Sequence, residues 1–248
     1  MAGHSKWANI KHRKAAMDNK RGKLFTKLIK EISIAAKEGG DDPTSNSRLR
    51  LAIQNAKGAN VPKDNIERAV KKGAGTDSAD YTEVTYEGYA PNGVAVFVEC
   101  MTDNIQRTVQ NVRSYFNKVG GSLSTNGSLE FIFDRKGIFT IPVPEGFDED
   151  EFTLEIIDAG AEEVEVEDDY ITVVSAMEDF GSVQKALDNM GINVENAELK
   201  RIPNTTVSIE EEDAFKKVMK VIDSLEDDDD VQKVWHNLEI SEAQMDFL

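Results

Sequence analysis

Cysteine is almost missing from this chain. A single residue, Cys100, among 248 excludes a disulfide framework and a four-cysteine zinc site. It also suits a reducing compartment. Cys100 itself reads as a small buried residue at the end of a strand. Histidine is nearly as scarce. His4 and His12 have no cysteine or carboxylate pair beside them, which makes them poor metal ligands and better hydrogen-bond donors to a phosphate or to backbone. No apolar run approaches the ~18 residues that a membrane span requires. Residues 1–30 are basic but lack the apolar segment of a secretory signal. Residues 8–36 moreover read as helix, so the segment is taken as part of the fold. The expectation is a cytoplasmic protein with no membrane partner.

Catalytic constellations are missing too. Ser5 and Ser33 have no paired histidine and acid in a familiar arrangement. Lys72-Gly73-Ala74-Gly75 ends a helix where a phosphate loop would begin one. The acidic run 227–230 does not match the spacing of a calcium loop and reads as a solvated turn. The carboxylates of 145–169 offer no pair that can be placed across a cleft. The chain is therefore expected not to be an enzyme, and to use no metal, no cofactor and no small-molecule substrate.

Charge is abundant, and it is unevenly spread. The formal net charge of −17 argues at first against a nucleic-acid binder. Residues 1–80, however, hold 17 Lys/Arg and 9 Asp/Glu, a net of +8, while residues 81–248 hold 12 and 37, a net of −25. Such asymmetry points to nucleic-acid contact by the basic part. Lys6, Lys11, Arg13, Lys14, Lys20, Arg21, Lys23, Lys27 and Lys30 face a single acid, Asp18, before residue 31. At about 100° per residue, Lys23, Lys27 and Lys30 share an arc of roughly 60°. Leu24, Leu28, Ile32 and Ala35 lie on the adjoining face, and Ile34 interrupts the polar one. Those nine cations, with His12, are the candidate phosphate contacts. Trp7 is open between stacking on a base and capping the core of a helical domain.

Period 3.6 persists through the first quarter of the chain. Helices are predicted over 8–19, 23–38, a stretch carrying Leu49, Ala52, Ile53 and Ala56, and one opened by Pro62 and closed by Gly73. This gives an all-helical domain, 1–79. The pattern then changes to strands over 83–89 and 94–101, a helix over 106–118 and a strand over 129–133. From 137 the order is strand, helix, hairpin, helix, strand, which is the ferredoxin-like split unit. A helix over 210–225 and a strand over 231–238 close the chain. The simplest arrangement inserts the ferredoxin-like unit, 135–204, into a middle α/β domain made of 80–134 plus 205–248. The expected class is α+β: three domains, an N-terminal helical bundle and two α/β sandwich domains.

Several stretches together closely resemble the YebC/PmpR family. They are Met1-Ala2-Gly3-His4-Ser5-Lys6-Trp7, Lys11-His12-Arg13-Lys14 and Lys20-Arg21-Gly22-Lys23-Leu24-Phe25-Thr26-Lys27. Further along come Ala59-Asn60-Val61-Pro62-Lys63-Asp64-Asn65-Ile66-Glu67-Arg68-Ala69, Tyr86-Glu87-Gly88-Tyr89-Ala90-Pro91 and Gly120-Gly121. The resemblance spans almost the whole chain in order. It implies a helical domain followed by two α/β domains, DNA-binding transcriptional regulation, and no enzymatic activity or cofactor. It also implies relatives, among them a mitochondrial activator of cytochrome oxidase translation, that act on the ribosome at difficult sequences such as proline runs. One departure stands out: the family often has Asp-Asn-Arg-Asn-Arg-Thr where this chain has Asp103-Asn104-Ile105-Gln106-Arg107-Thr108. Arg107 is left open between a phosphate contact and a helix-start salt bridge. Tyr86 and Tyr89 are candidate secondary contacts by stacking. The partner is expected to be nucleic acid, either DNA or ribosomal RNA, and the protein a monomer.

Overall fold

Two neighbouring glycines and one asparagine shape the start of the fold. The computed structural model describes residues 21–75, 80–167, 169–241 and 244. Helix α1 (Arg21–Gly39) buries Ile32, Ala35 and Ala36 and half-buries Leu24 and Leu28, the stripe that the helical period predicts. Ile34, placed on the polar face by that period, is buried as well. Gly40 adopts φ +87, the left-handed conformation that ends a helix at little cost to glycine. Buried Asn46 then ties two helices together. Its Nδ2 donates to Ala35 O at 2.7 Å and to Gly40 O at 2.8 Å, and its Oδ1 accepts from Leu49 N at 3.0 Å. It thereby satisfies the end of α1 and caps α2 (Ser47–Gly58) with one side chain. Helix α3 (Lys63–Ala74) follows Pro62. A Cβ on Gly73 would sit 2.1 Å from Ser33 O, so α3 and α1 approach as closely as backbone allows.

Strands β1 (Thr82–Tyr89) and β2 (Ala95–Thr102) form an antiparallel hairpin in full register from Thr82↔Thr102 to Tyr89↔Ala95. Helix α4 (Ile105–Lys118) follows, capped by Asn104. The short β3 (Ser122–Leu123) returns to pair with β1. The stretch 129–133, expected as a strand, instead makes a 3₁₀ turn over Glu130–Ile132, and β4 (Phe133–Pro142) begins only at Phe133.

The second sheet comes from β4, α5 (Glu149–Asp158), β5 (Ala161–Val166), β6 (Tyr170–Ala176), α6 (Phe180–Asn189) and β7 (Asn196–Pro203). Its order, β5-β6-β4-β7, is that of a ferredoxin-like unit, and β6 runs antiparallel to both neighbours. Phe139, Ile141, Val173, Phe152, Ile156, Val183 and Leu187 fill the layer between sheet and helices.

The chain then completes the first sheet. Short β8 (Val207–Ser208), α7 (Glu212–Glu226), β9 (Val231–His236) and β10 (Leu238–Glu239) follow in order. Strand β9 pairs with β2, giving the order β3-β1-β2-β9. Helices α4 and α7 pack on this sheet through Val112, Phe116, Phe215, Val218 and Ile222 against Val96, Val98 and Val234. The architecture is α+β as expected, with a helical N-terminal region and two antiparallel sheets carrying helices. The chain separates into two compact units: described residues up to 27 with 80–132 and 203 onward, and 28–75 with 133–202.

Candidate nucleic-acid interface

Lys23 and Lys27 of α1 lie against the end of α7. Lys23 Nζ is 2.8 Å from Asp227 Oδ1 and also donates to Asp227 O at 3.3 Å. Lys27 Nζ donates to Glu226 O at 2.9 Å. Ammonium groups are favoured there, where the last carbonyls of a helix lack partners and its dipole is negative. The Lys23 side chain is 46% exposed and Asp227 49%. An exposed pair of this kind contributes about 0–1 kcal/mol, little enough that a phosphate can compete for the ammonium. Lys30 lies one turn further along and is half-buried. Lys6, Trp7, Lys11, His12, Arg13, Lys14 and Lys20 lie outside the described residues, as does the side chain of Arg21.

Arg107 stands in the first turn of α4 as a salt-bridge residue. Its Nη2 is 2.7 Å from Asp230 Oδ2 and 2.8 Å from Asp103 Oδ1, and its Nε donates to Asp230 Oδ2 at 3.2 Å. Thr108 Oγ1 donates to the same carboxylate at 2.9 Å. These hydrogen bonds to Asp230, followed by that to Asp103, hold the Arg107 guanidinium protonated well above its ordinary range. The acidic run 227–230 forms a turn with Asp227 and Asp229 exposed, as expected, but Asp230 is buried and its neighbours are engaged as well. Asp227 meets Lys23, Asp228 accepts from Tyr115 Oη at 2.9 Å and from Asn111 Nδ2 at 3.2 Å, and Asp230 anchors α4. Burial, and then the bond to Asp228, push the Tyr115 hydroxyl up to about 12. Sequence reasoning missed this hub because its partners lie 113 to 204 residues away along the chain.

Tyr86 packs against the core of the first sheet, and its hydroxyl is buried with no hydrogen-bond partner among the described residues. Burial raises its pKa. Tyr89, the last residue of the same strand, is half-buried. Between them Glu87, only 2% exposed, points its carboxylate into the loop that follows β3. Its Oε1 accepts from Gly127 N at 2.7 Å, and its Oε2 accepts from Leu129 N at 2.6 Å and Ser128 Oγ at 3.2 Å. Glu87 O accepts in addition from Ser124 N at 2.8 Å. One residue thus fixes the whole 124–129 loop and presents Phe131 beyond it, 72% exposed. Among the described residues no group of His, Cys, Asp and Glu is arranged to hold a metal ion, and no helix is long and apolar enough to cross a membrane.

Comparison with known proteins agrees with this architecture. The chain is similar to a solved protein from Aquifex aeolicus, described as a conserved hypothetical protein, with a TM-score of 0.79 and 44% identity over 96% of this chain and 98% of that one. Among curated relatives, a protein of Amoebophilus asiaticus is 58% identical over 96% of this chain and 98% of its own length. A Bacillus subtilis protein is 52% identical over 96% and 99%. Both are named probable transcriptional regulatory proteins. Residues 5–76 match the family described as the TACO1/YebC protein N-terminal domain, and residues 81–238 match the TACO1/YebC second and third domain. With both matches in chain order and covering most of its length, the chain belongs to the TACO1/YebC family.

Proposed function

We propose that this protein is a nucleic-acid-binding regulator, acting as a DNA-binding transcriptional regulator through its basic N-terminal segment. The observation that carries this reading is the division of charge, +8 over residues 1–80 against −25 over the remainder. Lys6, Lys11, His12, Arg13, Lys14, Lys20, Arg21, Lys23, Lys27 and Lys30 neutralise backbone phosphates, and each contact made releases condensed counterions. Lys23 and Lys27 exchange their positions on Asp227 and Glu226 for phosphate oxygens. The domain division that goes with this reading is 1–79 for nucleic acid, 80–134 with 205–248 as a middle domain, and 135–204 as the inserted ferredoxin-like unit. The names of the curated relatives support the regulatory role. No catalytic step, cofactor or membrane enters it, and the working form is a cytoplasmic monomer.

A second reading, a translation factor on ribosomal RNA, is favoured by one observation. A remainder carrying −25 is repelled by a long duplex, whereas a single basic tip can enter an RNA crevice and leave the acidic bulk outside. Cross-linking in cells followed by sequencing of the attached nucleic acid separates the two. Recovery concentrated at promoter DNA is the expected result. Recovery concentrated in ribosomal RNA replaces the promoter reading with the ribosomal one, and recovery of neither removes both.

A further inference from the structure

A cleft of about 800 Å³ opens within the unit that joins the helices to the ferredoxin-like sheet, between α2 and the segment leading into β7. Its walls include Arg50, Gln54 and Lys57 from α2, and Asn193 and Glu195 from the opposite side. Pro43, Ile53 and Pro142 supply apolar surface. That size falls in the range of about 300–1,000 Å³ typical of ligand sites. Nothing in the sequence marks it, because Arg50 and Lys57 read as ordinary surface residues and Asn193 is far away along the chain.

The cleft is rigidly built. Asn55 Nδ2 donates to Ala197 O at 2.8 Å, and Ala197 N donates back to Asn55 Oδ1 at 2.9 Å. Gln54 Nε2 donates to Val194 O at 3.2 Å. A Cβ on Gly58 would fall 1.8 Å from Glu195 O, so only glycine lets the end of α2 lie this close to that strand entry. Glu195 N is in turn held by Thr140 O at 2.9 Å. A preformed cleft spends little free energy on ordering when a ligand enters.

Its charge is the second observation. Neighbouring Arg48 is neutralised by Glu31 and Glu38. Arg50 makes one hydrogen bond, to Pro43 O at 3.3 Å, and neither Arg50 nor Lys57 has a carboxylate partner among the described residues. In a chain with 46 acids against 29 bases, a concavity lined by two cations and one carboxylate, Glu195, carries a net positive charge and favours an anion. They stand seven positions apart on one helix, two turns or about 10 Å along its axis. At roughly 3.4 Å of rise per nucleotide of one strand, that separation spans about three nucleotides. Gln54 lies between them on the helix, and Asn60 and Asn193 also line the cleft.

We propose that this cleft is a second nucleic-acid site, which holds the phosphates of a single strand on Arg50 and Lys57 with base edges against Asn60 and Asn193. A charged groove tracking a backbone is the usual device of single-strand binders. No aromatic ring lines this one, so phosphate contact outweighs stacking. The inference rests on the nucleic-acid reading above but uses residues separate from the N-terminal cations.

The test measures a fluorescein-labelled nine-nucleotide oligouridine against the full chain, Arg50→Ala/Lys57→Ala, and Lys11→Glu/Arg13→Glu/Lys14→Glu. Loss of two single-strand contacts should weaken binding by about 20-fold at 0.1 M salt and flatten the log–log salt slope by about 1.4. The exchange Arg50→Lys/Lys57→Arg should keep most of the affinity, and circular dichroism should show unchanged helix content in every variant. A 4-thiouridine version of the probe should cross-link within 43–60 or 193–195. Unaltered affinity in the alanine pair, or cross-links confined to other segments, overturns the cleft. If the alanine pair weakens binding while the N-terminal variant does not, the cleft stands and the N-terminal reading falls.

Discussion

Reversing the charge of Lys11, Arg13, Lys14, Lys23 and Lys27 to Glu should weaken nucleic-acid binding by on the order of 10³- to 10⁴-fold at 0.1 M salt. Each lost phosphate contact removes close to one power of the salt concentration from the binding constant. The five substitutions should not act equally. Lys23 and Lys27 already share their ammonium groups with Asp227 and the carbonyl of Glu226, so part of their phosphate energy is spent on leaving those partners. The triple variant Lys11→Glu/Arg13→Glu/Lys14→Glu should therefore account for most of the loss, and Lys23→Glu/Lys27→Glu for the smaller part. The exposed Lys23–Asp227 pair contributes only about 0–1 kcal/mol to the fold, and the single part-buried hydrogen bond from Lys27 about 0.5–1.5 kcal/mol, so thermal melting should move by several degrees at most. Electrophoretic or fluorescence titration with both variants checks the ratio.

The largest effect on stability should come from Glu87→Ala. Its carboxylate is buried and accepts two backbone N–H groups and a hydroxyl from one loop. Removing it leaves the Gly127 and Leu129 N–H groups without that acceptor. Gly127 is exposed, so water can replace the acceptor there, whereas Leu129 is buried. At about 1–3 kcal/mol for an unsatisfied buried group, the expected loss is about 1–3 kcal/mol, an appreciable share of the ~5–15 kcal/mol that holds a typical domain together. Glu87→Gln keeps one carbonyl acceptor and should lose roughly half as much. Urea titration gives the loss, and hydrogen exchange should show Leu129 N–H becoming unprotected in the alanine variant. An alanine variant as stable as the parent would mean that the loop holds its shape without Glu87.

The sequence was most legible where the chain is locally consistent. Leu24, Leu28, Ile32 and Ala35 recur at helical spacing and Gly39 ends the run, and α1 is there. The change of period after 80 marked the first hairpin, and the strand–helix–hairpin–helix–strand order after 137 marked the ferredoxin-like sheet. Strand pattern misled at 129–133, where Leu129, Phe131 and Phe133 alternate as a strand would. There the backbone is captured by Glu87 from 42 residues away and turns as 3₁₀ instead. Short β3 was invisible because two residues carry no period. Ile34 looked like a break in a polar face, yet the side chain is buried, since a local period does not reveal how many faces of a helix are covered.

The candidate site was legible as a composition and less so as a set of partners. A run of cations with one acid among them can be counted from the sequence. That Lys23 meets Asp227, or that Arg107 closes on Asp230, depends on pairs 204 and 123 residues apart, and no local signal carries it. The same holds for Arg50 and Lys57, whose meaning arises only when α2 is docked beside Asn193.

The central claim is that the basic amino-terminal segment neutralises nucleic-acid phosphates. Its most direct test is the salt dependence of affinity for a 20-base-pair duplex and for a ribosomal RNA fragment. With five or more phosphate contacts, the account predicts a log–log slope of about −4.5 or steeper on duplex DNA, or about −3.5 or steeper if the target is single-stranded. A slope near zero on both, with binding intact, would contradict it.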